Sequence, residues 1–401
     1  MAGPLNGLRV LEVATTVAGA YCGRLLAGMG ADVLKVEPPE GDPLRRYGPF
    51  PGDVPHPEKS GLFLHLNQAK RGVTLEVGSP SGRDLLGRLL ERADALVHDL
   101  PPQRAEALGL TPEELRRRHP RLVAAVVTYF GSRGPYARYQ GTELVAEALS
   151  GYMSITGEPD REPLKPHGFL AEYQAGLQAA VAVMAGLLAR EARGAGDVAD
   201  VSVAEAATFL MGGPPVLAYL FGQVWKRNGT RLIGMGDRHP YPSTLRPCRD
   251  GWVHAHSNNR HPDLLAALVG DPWLASPQVL EAMTAHADEI DARLDAWLAD
   301  KSKWEAVELA QELRLPFTEV LDPLEVLEDR HGHHRTRGTF VEVEHPVAGR
   351  VRQLGAPVKL SATPWQVGRA PLLGEHNEQV FCGELGLPRE ELVRLRQTGI
   401  V

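Results

Sequence analysis

The chain has 401 residues, 43% of them apolar and 23% charged, a composition that suits a globular protein with room for two domains. Its net charge of −7 argues against a nucleic-acid-binding face, although a local Arg/Lys cluster still accommodates a small anion. Three scattered cysteines, Cys22, Cys248 and Cys382, offer neither a disulfide framework nor a C-x-x-C motif, which points to a reducing cytoplasm.

The first forty residues read as a strand over 8–14, a small-residue helix over 17–29 and a strand over 32–37, with Gly28 and Gly30 marking the return. The residues before the helix lack the basic and apolar regions of a signal peptide. Strands follow at 73–77, 95–98 and 122–129, with helices at 81–93 and 112–118 between them. A helix over 172–193 contains the most apolar stretch, 175–189, which is too short to span a bilayer and reads as buried core. A strand over 198–203 and a helix from Ala204 complete the alternation. The pattern predicts an α/β fold around a mostly parallel, doubly wound sheet. Glycine and proline crowd into 225–250, as in a linker. Beyond it, 275–299 and 302–313 read as amphipathic helices with a short strand over 317–320. The tail predicts strands over 339–344 and 349–360 and a closing helix over 389–397.

Glu37 ends the second strand, where dinucleotide-binding folds place an acid on the ribose. The preceding loop, Ala14-Thr-Thr-Val-Ala-Gly19, has no G-x-G-x-x-G, so backbone amides cannot approach a pyrophosphate in the usual way. His331, His333 and His334 lie between Arg330 and Arg335 without a carboxylate at ligand spacing and are expected to be solvated, not metal-bound. Cys22 sits within a helix with no activating histidine nearby in sequence and reads as a buried structural thiol.

Six segments carry a family resemblance. They are Pro4-Leu-x-Gly7-Leu-Arg-Val-Leu-Glu12, Gly30-Ala-Asp-Val-Leu-Lys-Val-Glu37, Gln68-Ala-Lys-Arg71, Ser79-Pro-Ser-Gly82, Thr156-Gly-Glu-Pro159 and Ala370-Pro-Leu-Leu-Gly-Glu-His376. In order and spacing the chain resembles the class III CoA-transferases, the family of formyl-CoA and carnitine CoA-transferases and of α-methylacyl-CoA racemases. The resemblance implies an interlocked dimer, each chain with a large Rossmann-like CoA-binding domain over 1–215, completed by 335–401, and a smaller inserted α+β domain over 225–330. It also implies an acyl-CoA donor and a carboxylic acid acceptor as substrates, with coenzyme A as cosubstrate and no tightly bound cofactor or metal.

The racemase branch uses a histidine beside an acid. The matching pair here is Thr142-Glu143, so a transferase is expected instead. In that chemistry a carboxylate attacks the donor thioester, giving a mixed anhydride and CoA thiolate, and a carboxylate-bound CoA follows before the acceptor takes it over. The position of the family's nucleophilic aspartate is held by Glu172, with Glu143 as an assisting acid. The helix start beneath Glu172 is expected to keep it ionised. One extra methylene moves the carboxylate by about 1 Å, a displacement that can cost ~10²-fold in rate unless the pocket is re-cut.

The resemblance places CoA against Val17, Ala18, Arg45 (or Arg46), Lys70, Arg71, Asp99, Leu100 and Arg104, and a substrate loop at Gly234, Met235 and Gly236. Pocket candidates are Tyr173, Phe169, Met153, Tyr139 and Met235, whose apolar character suggests a bulky or aromatic acid. The family's Asn-aromatic-Arg-Pro-Gly run reads Asp99-Leu-Pro-Pro-Gln103, and Pro38 follows Glu37 where a base is common. Some family members pair two different subunits, only one with the aspartate. A non-catalytic subunit of such a heterodimer is therefore the alternative to an active homodimer.

Overall fold

The computed structural model describes residues 2–232, 241–257 and 261–401, which fall into two compact units. The larger unit comprises 1–152, 166–211 and 333–401; the smaller comprises 153–165 and 212–332.

The larger unit opens with β1 (Arg9–Val13), α1 (Val17–Gly28), β2 (Asp32–Glu37), α2 (Gly61–Leu66) and β3 (Arg71–Thr74). It continues with α3 (Pro80–Leu90), β4 (Ala95–His98), α4 (Pro102–Leu108), α5 (Pro112–Arg118), β5 (Val123–Thr128) and α6 (Glu143–Ser150). Then come α7 (Leu170–Arg193), β6 (Val198–Ser202) and α8 (Val203–Leu210). The six strands pair in the order β3-β2-β1-β4-β5-β6, all parallel. Near-continuous apolar runs such as Val123–Thr128 belong in such a sheet because both faces are covered. On one face Val10, Val33, Val97, Ala125 and Val127 join α1, α7 and α8; on the other Leu11, Leu34, Leu96 and Val126 join α3, α5 and the C-terminal Phe381, Leu392 and Leu395.

The third strand lies two residues earlier than its apolar pattern predicts. β2 ends at Glu37, opposite Thr74, so Leu75 makes the last ladder bond (Leu75 N to Glu37 O, 2.7 Å) and Val77 leaves the sheet for the core.

Helix α7 carries a stripe of small residues, Ala171, Ala175, Gly176, Ala179 and Ala180, all buried. A Cβ at Gly176 would stand 2.5 Å from the Ala18 carbonyl, so only glycine lets α7 cross α1 this closely. That crossing carries the first turn of α7 to the start of α1, and with it Glu172.

The smaller unit holds α9 (Gly213–Phe221), β7 (Ser243–Cys248), β8 (Gly251–His256), α10 (Pro262–Val269), α11 (Pro277–Glu281), α12 (Ala287–Leu298), α13 (Lys303–Glu312), β9 (Thr318–Glu319) and α14 (Pro323–Glu328). Its three strands form an antiparallel sheet, β7-β8-β9. Part of the stretch read as a linker is therefore strand: β7 pairs with β8, whose Val253 and Ala255 share a core with Ile290, Leu294 and Phe317. The helix expected over 275–299 is interrupted between α11 and α12.

After α15 (His333–Arg337), β10 (Phe340–His345) and β11 (Gly349–Leu354) form an antiparallel hairpin apart from the parallel sheet, and α16 (Arg389–Gln397) closes the chain.

Candidate active site

The strand order reverses direction between β1 and β4, and the crevice beyond their carboxyl ends is where doubly wound folds bind ligands. Four segments meet there: Thr15-Thr16 after β1, Asp99 after β4, Tyr129 after β5, and Glu172 on the first turn of α7. With Pro101, Gln103, Phe130, Arg138 and Tyr139 they line a cavity of ≈ 170 Å³.

The N-terminus of α1 presents backbone donors that need acceptors. Asp99 Oδ2 takes the N–H groups of Thr15 (2.8 Å) and Thr16 (2.5 Å). Thr16 Oγ1 takes that of Gly19 (3.3 Å), and Glu172 Oε2 takes that of Ala18 (3.2 Å). Protein carboxylates thus occupy the helix start where a dinucleotide fold would hold pyrophosphate. Val17 and Ala18, expected to contact CoA, serve Glu172 through their backbone. Asp99 is half-buried, and desolvation holds its carboxyl above the usual range against the pull of the Thr15 and Thr16 donors.

Glu172 is 3% exposed. Its other oxygen, Oε1, accepts from the Tyr129 hydroxyl at 2.9 Å. Burial pushes its carboxyl up to about 7; the Tyr129 and amide hydrogen bonds oppose this, while the Glu143 charge adds to it. The helix start, expected to keep Glu172 ionised, is opposed by this burial. Its two hydrogen-bond donors only partly offset desolvation, so the carboxyl stays above the usual glutamate range.

Glu143 begins α6 and faces the start of α7, where Oε1 accepts from Ala171 N (2.8 Å) and Oε2 from Glu172 N (3.0 Å). Both its oxygens serve as a cap, so it fixes the backbone of Glu172.

The cations expected at phosphate are mostly engaged elsewhere. Arg45 is buried in a bidentate pair with Glu37 (2.6 and 2.8 Å), reaches Glu58 at 2.7 Å and lies over the Phe63 ring. Glu37 therefore holds an arginine, not a ribose. Lys70 is buried against Glu12 (2.7 Å), Asn67 (2.8 Å) and the Ala20 carbonyl (2.8 Å), and burial draws it down to about 8. Arg71 pairs with Asp32 through two nitrogens at 2.7 Å and with Glu384. Each of the three cations lies beside a strand-borne carboxylate that sequence distance concealed. Arg46 and Arg104 are exposed, and among the described residues no side-chain partner is seen for either. Arg104 lines a second cavity of ≈ 300 Å³ with Leu100, Glu40, Pro43 and Leu75, at the carboxyl ends of β1, β2 and β4.

Of the pocket candidates, Tyr139 lines the first cavity. Tyr173 packs edge-on to Tyr21 (4.8 Å) and Phe169 to Tyr47 (5.5 Å), away from it. Met153 lies in the smaller unit. Gly234, Met235 and Gly236 fall outside the described residues. Cys22 is fully buried, its thiol raised far above the usual range by that burial. His331 lies tilted against Trp304 and His334 meets Thr339, and no His/Cys/Asp/Glu group suited to a metal is found among the described residues.

Two features escaped the sequence reading. Tyr129 is one, although a hydroxyl at the carboxyl end of a strand beside the switch point was the available signal. The other is the buried ion cluster in which Lys35 bridges Glu12 (3.0 Å) and Asp42 (2.7 Å).

A profile of CoA-transferase family III matches residues 5–377. The chain belongs to CoA-transferase family III. It is an enzyme of that class, whose members use CoA thioesters as cosubstrates. It is 31% identical to a formyl-CoA:oxalate CoA-transferase of Streptomyces coelicolor, over 99% of both chains. It is also 31% identical to succinyl-CoA:(R)-benzylsuccinate CoA-transferase subunit BbsE of Thauera aromatica, over 98% of this chain and 97% of that one. A CaiB/BaiF family protein from Brucella suis superposes with a TM-score of 0.83 at 26% identity, covering 98% and 100% of the two chains.

Proposed function

We propose that this CoA-transferase moves CoA from an acyl-CoA to a carboxylic acid with Glu172 as the nucleophile. The observation that carries the reading is the placement of Glu172, a buried carboxylate held by Ala18 N–H and the Tyr129 hydroxyl at the wall of the switch-point cavity. Its ionised form attacks the thioester carbonyl, the C–S bond breaks, and CoA leaves as thiolate from the resulting mixed anhydride. The thiolate returns to the glutamyl carbonyl, freeing the donor acid and leaving a glutamyl-CoA thioester. The acceptor carboxylate attacks that thioester in turn, giving a second anhydride, and the thiolate then takes the acceptor acyl group and restores the Glu172 carboxylate. Glu143 keeps the attacking side chain on its track by capping α7. Arg104 and Arg46 remain available for the phosphates of CoA, and Leu100 and Asp99 shape the crevice it crosses.

The test is peptide mapping after incubation with formyl-CoA or succinyl-CoA and hydroxylamine, the donors named for the two relatives. A hydroxamate on Glu172, absent from Glu172→Gln, is the expected result. A chain that releases no thiol and carries no adduct, while an aspartate-bearing relative labels, would sink the reading.

A second reading is favoured by one observation. Arg45, Lys70 and Arg71 are internally paired, as suits a subunit that supports a catalytic partner. An association with a second chain, identical or paralogous, is supported by apolar side chains left exposed on adjoining helices, including Leu149 of α6, Leu188 of α7 and Phe209 of α8. Light scattering of the chain alone and co-expressed with a paralogue separates homodimer from heterodimer.

A further inference from the structure

Tyr129 follows β5, with its ring against the cavity and its hydroxyl on Glu172 Oε1. Its backbone is pinned, since its carbonyl accepts from Ala204 N (3.0 Å) and Ser202 Oγ (3.3 Å). The ring side is pinned too, because a Cβ at Gly141 would lie 2.3 Å from Tyr129 Cβ, so the 141 backbone runs flush against it. Burial, and then the Glu172 charge, hold the phenol above its ordinary range, so it keeps its proton and is the donor in this bond. Glutamate has more rotatable bonds than a shorter acid needs, and each must be frozen before the carboxylate faces one target.

We propose that Tyr129 is the positioning residue of the Glu172 carboxylate, gripping one oxygen from just beyond β5 while the Ala18 N–H of α1 grips the other. Two donors from two elements fix both the direction and the plane of the carboxylate. A single grip would leave it free to rotate. The bond also biases ionisation, because a donor that reaches the charged form favours it. The charged and titratable groups facing Glu172 are Tyr129 just beyond β5, Glu143 of α6, Asp99 beyond β4 and the neighbouring Tyr173 on α7 itself. Of these, Tyr129 is the one whose hydroxyl bonds the carboxylate directly.

The assignment rests on Glu172 as nucleophile for its catalytic meaning, so the experiment uses two readouts. In the full chain, the pH titration of the carboxyl band that disappears in Glu172→Gln is followed by difference infrared spectroscopy, without any acyl-CoA. Thiol release from succinyl-CoA is followed in parallel. Tyr129→Phe is expected to raise the titration midpoint by about one pH unit and to slow thiol release ~10-fold or more near pH 7. Gly141→Ala, which displaces the ring but leaves its hydroxyl, should move both readouts the same way, and guards against misfolding of the first variant. An unchanged midpoint and rate in both folded variants would overturn the role of Tyr129. A shifted midpoint without thiol release in the wild type would keep the grip on Glu172 and remove the nucleophile reading instead.

Discussion

The larger unit buries two sets of carboxylates, and they are neutralised by different means. Glu12, Glu37 and Asp42 lie beneath β1 and β2 against Lys35, Lys70 and Arg45. Glu172, Asp99 and Glu143 lie at the carboxyl edge of the same sheet and are met by backbone N–H groups and one phenol. Cations match a charge with a charge, and the cluster becomes a structural rivet. Burial opposes the charge of Lys35, yet Asp42, Glu12 and Glu37 together hold it above its ordinary range. Dipolar donors match it only in part, so burial holds the Glu172 carboxyl above its usual range. One sheet thus carries an ionic layer of paired charges and, at its carboxyl edge, a carboxylate met only by dipoles.

The comparison is broken most severely at Glu172 itself. Glu172→Gln is expected to lower CoA transfer by roughly 10⁴-fold or more while leaving the fold intact, checked by steady-state kinetics and circular dichroism. In the ionic layer, Lys35→Met strands Glu12 and Asp42, and is expected to cost about 3–5 kcal/mol in urea unfolding. The same change made at the site, Glu172→Gln, should not destabilise in this way; a loss as large there would erase the distinction.

The pH dependence sharpens the contrast with a definite sign. Glu172 is raised from 4.5 to about 7, so between those values the native state holds a proton that the unfolded chain has released. Stability from this group is therefore present below the unfolded value and is lost as pH rises toward about 7, by roughly 3 kcal/mol at most. Activity should rise over the same window as the nucleophile ionises. Urea midpoints of wild type and Glu172→Gln measured from about pH 5 to about pH 8 should converge at one end and diverge at the other. Parallel curves would show that Glu172 does not titrate there. The smallest effect is expected for Glu143→Gln. Loss of a cap costs ~1 kcal/mol, and loss of the neighbouring charge should lower the midpoint of the activity profile, opposite in direction to Tyr129→Phe.

The main sheet was legible in the sequence where apolar runs were bounded, as in β2 over Asp32–Glu37 and β4 over Ala95–His98. It was less legible where pairing sets the limits, as at β3, whose extent depends on where β2 stops. The short helices α4 and α6 passed unread, since seven or eight residues give too little periodicity. At the site, Glu172 and Glu143 were visible as residues but not in their roles. The hydrogen bond from Ala18 to Glu172 spans 154 positions, and the cap from Glu143 spans 28 and 29.

Local pattern was enough to specify an α/β chain with a sheet buried on both faces, a long small-residue helix beginning near Glu172, and membership of a family, because periodicity and segment order are properties of the string. Which cation meets which carboxylate is not such a property. Arg45, Lys70 and Arg71 looked equally free to bind phosphate until folding set them beside Glu37, Glu12 and Asp32, and Tyr129 had no evident task until α7 crossed α1 at Gly176. Charge and hydrogen-bond partners are chosen by distance in space and by desolvation, and both are created only when the chain packs.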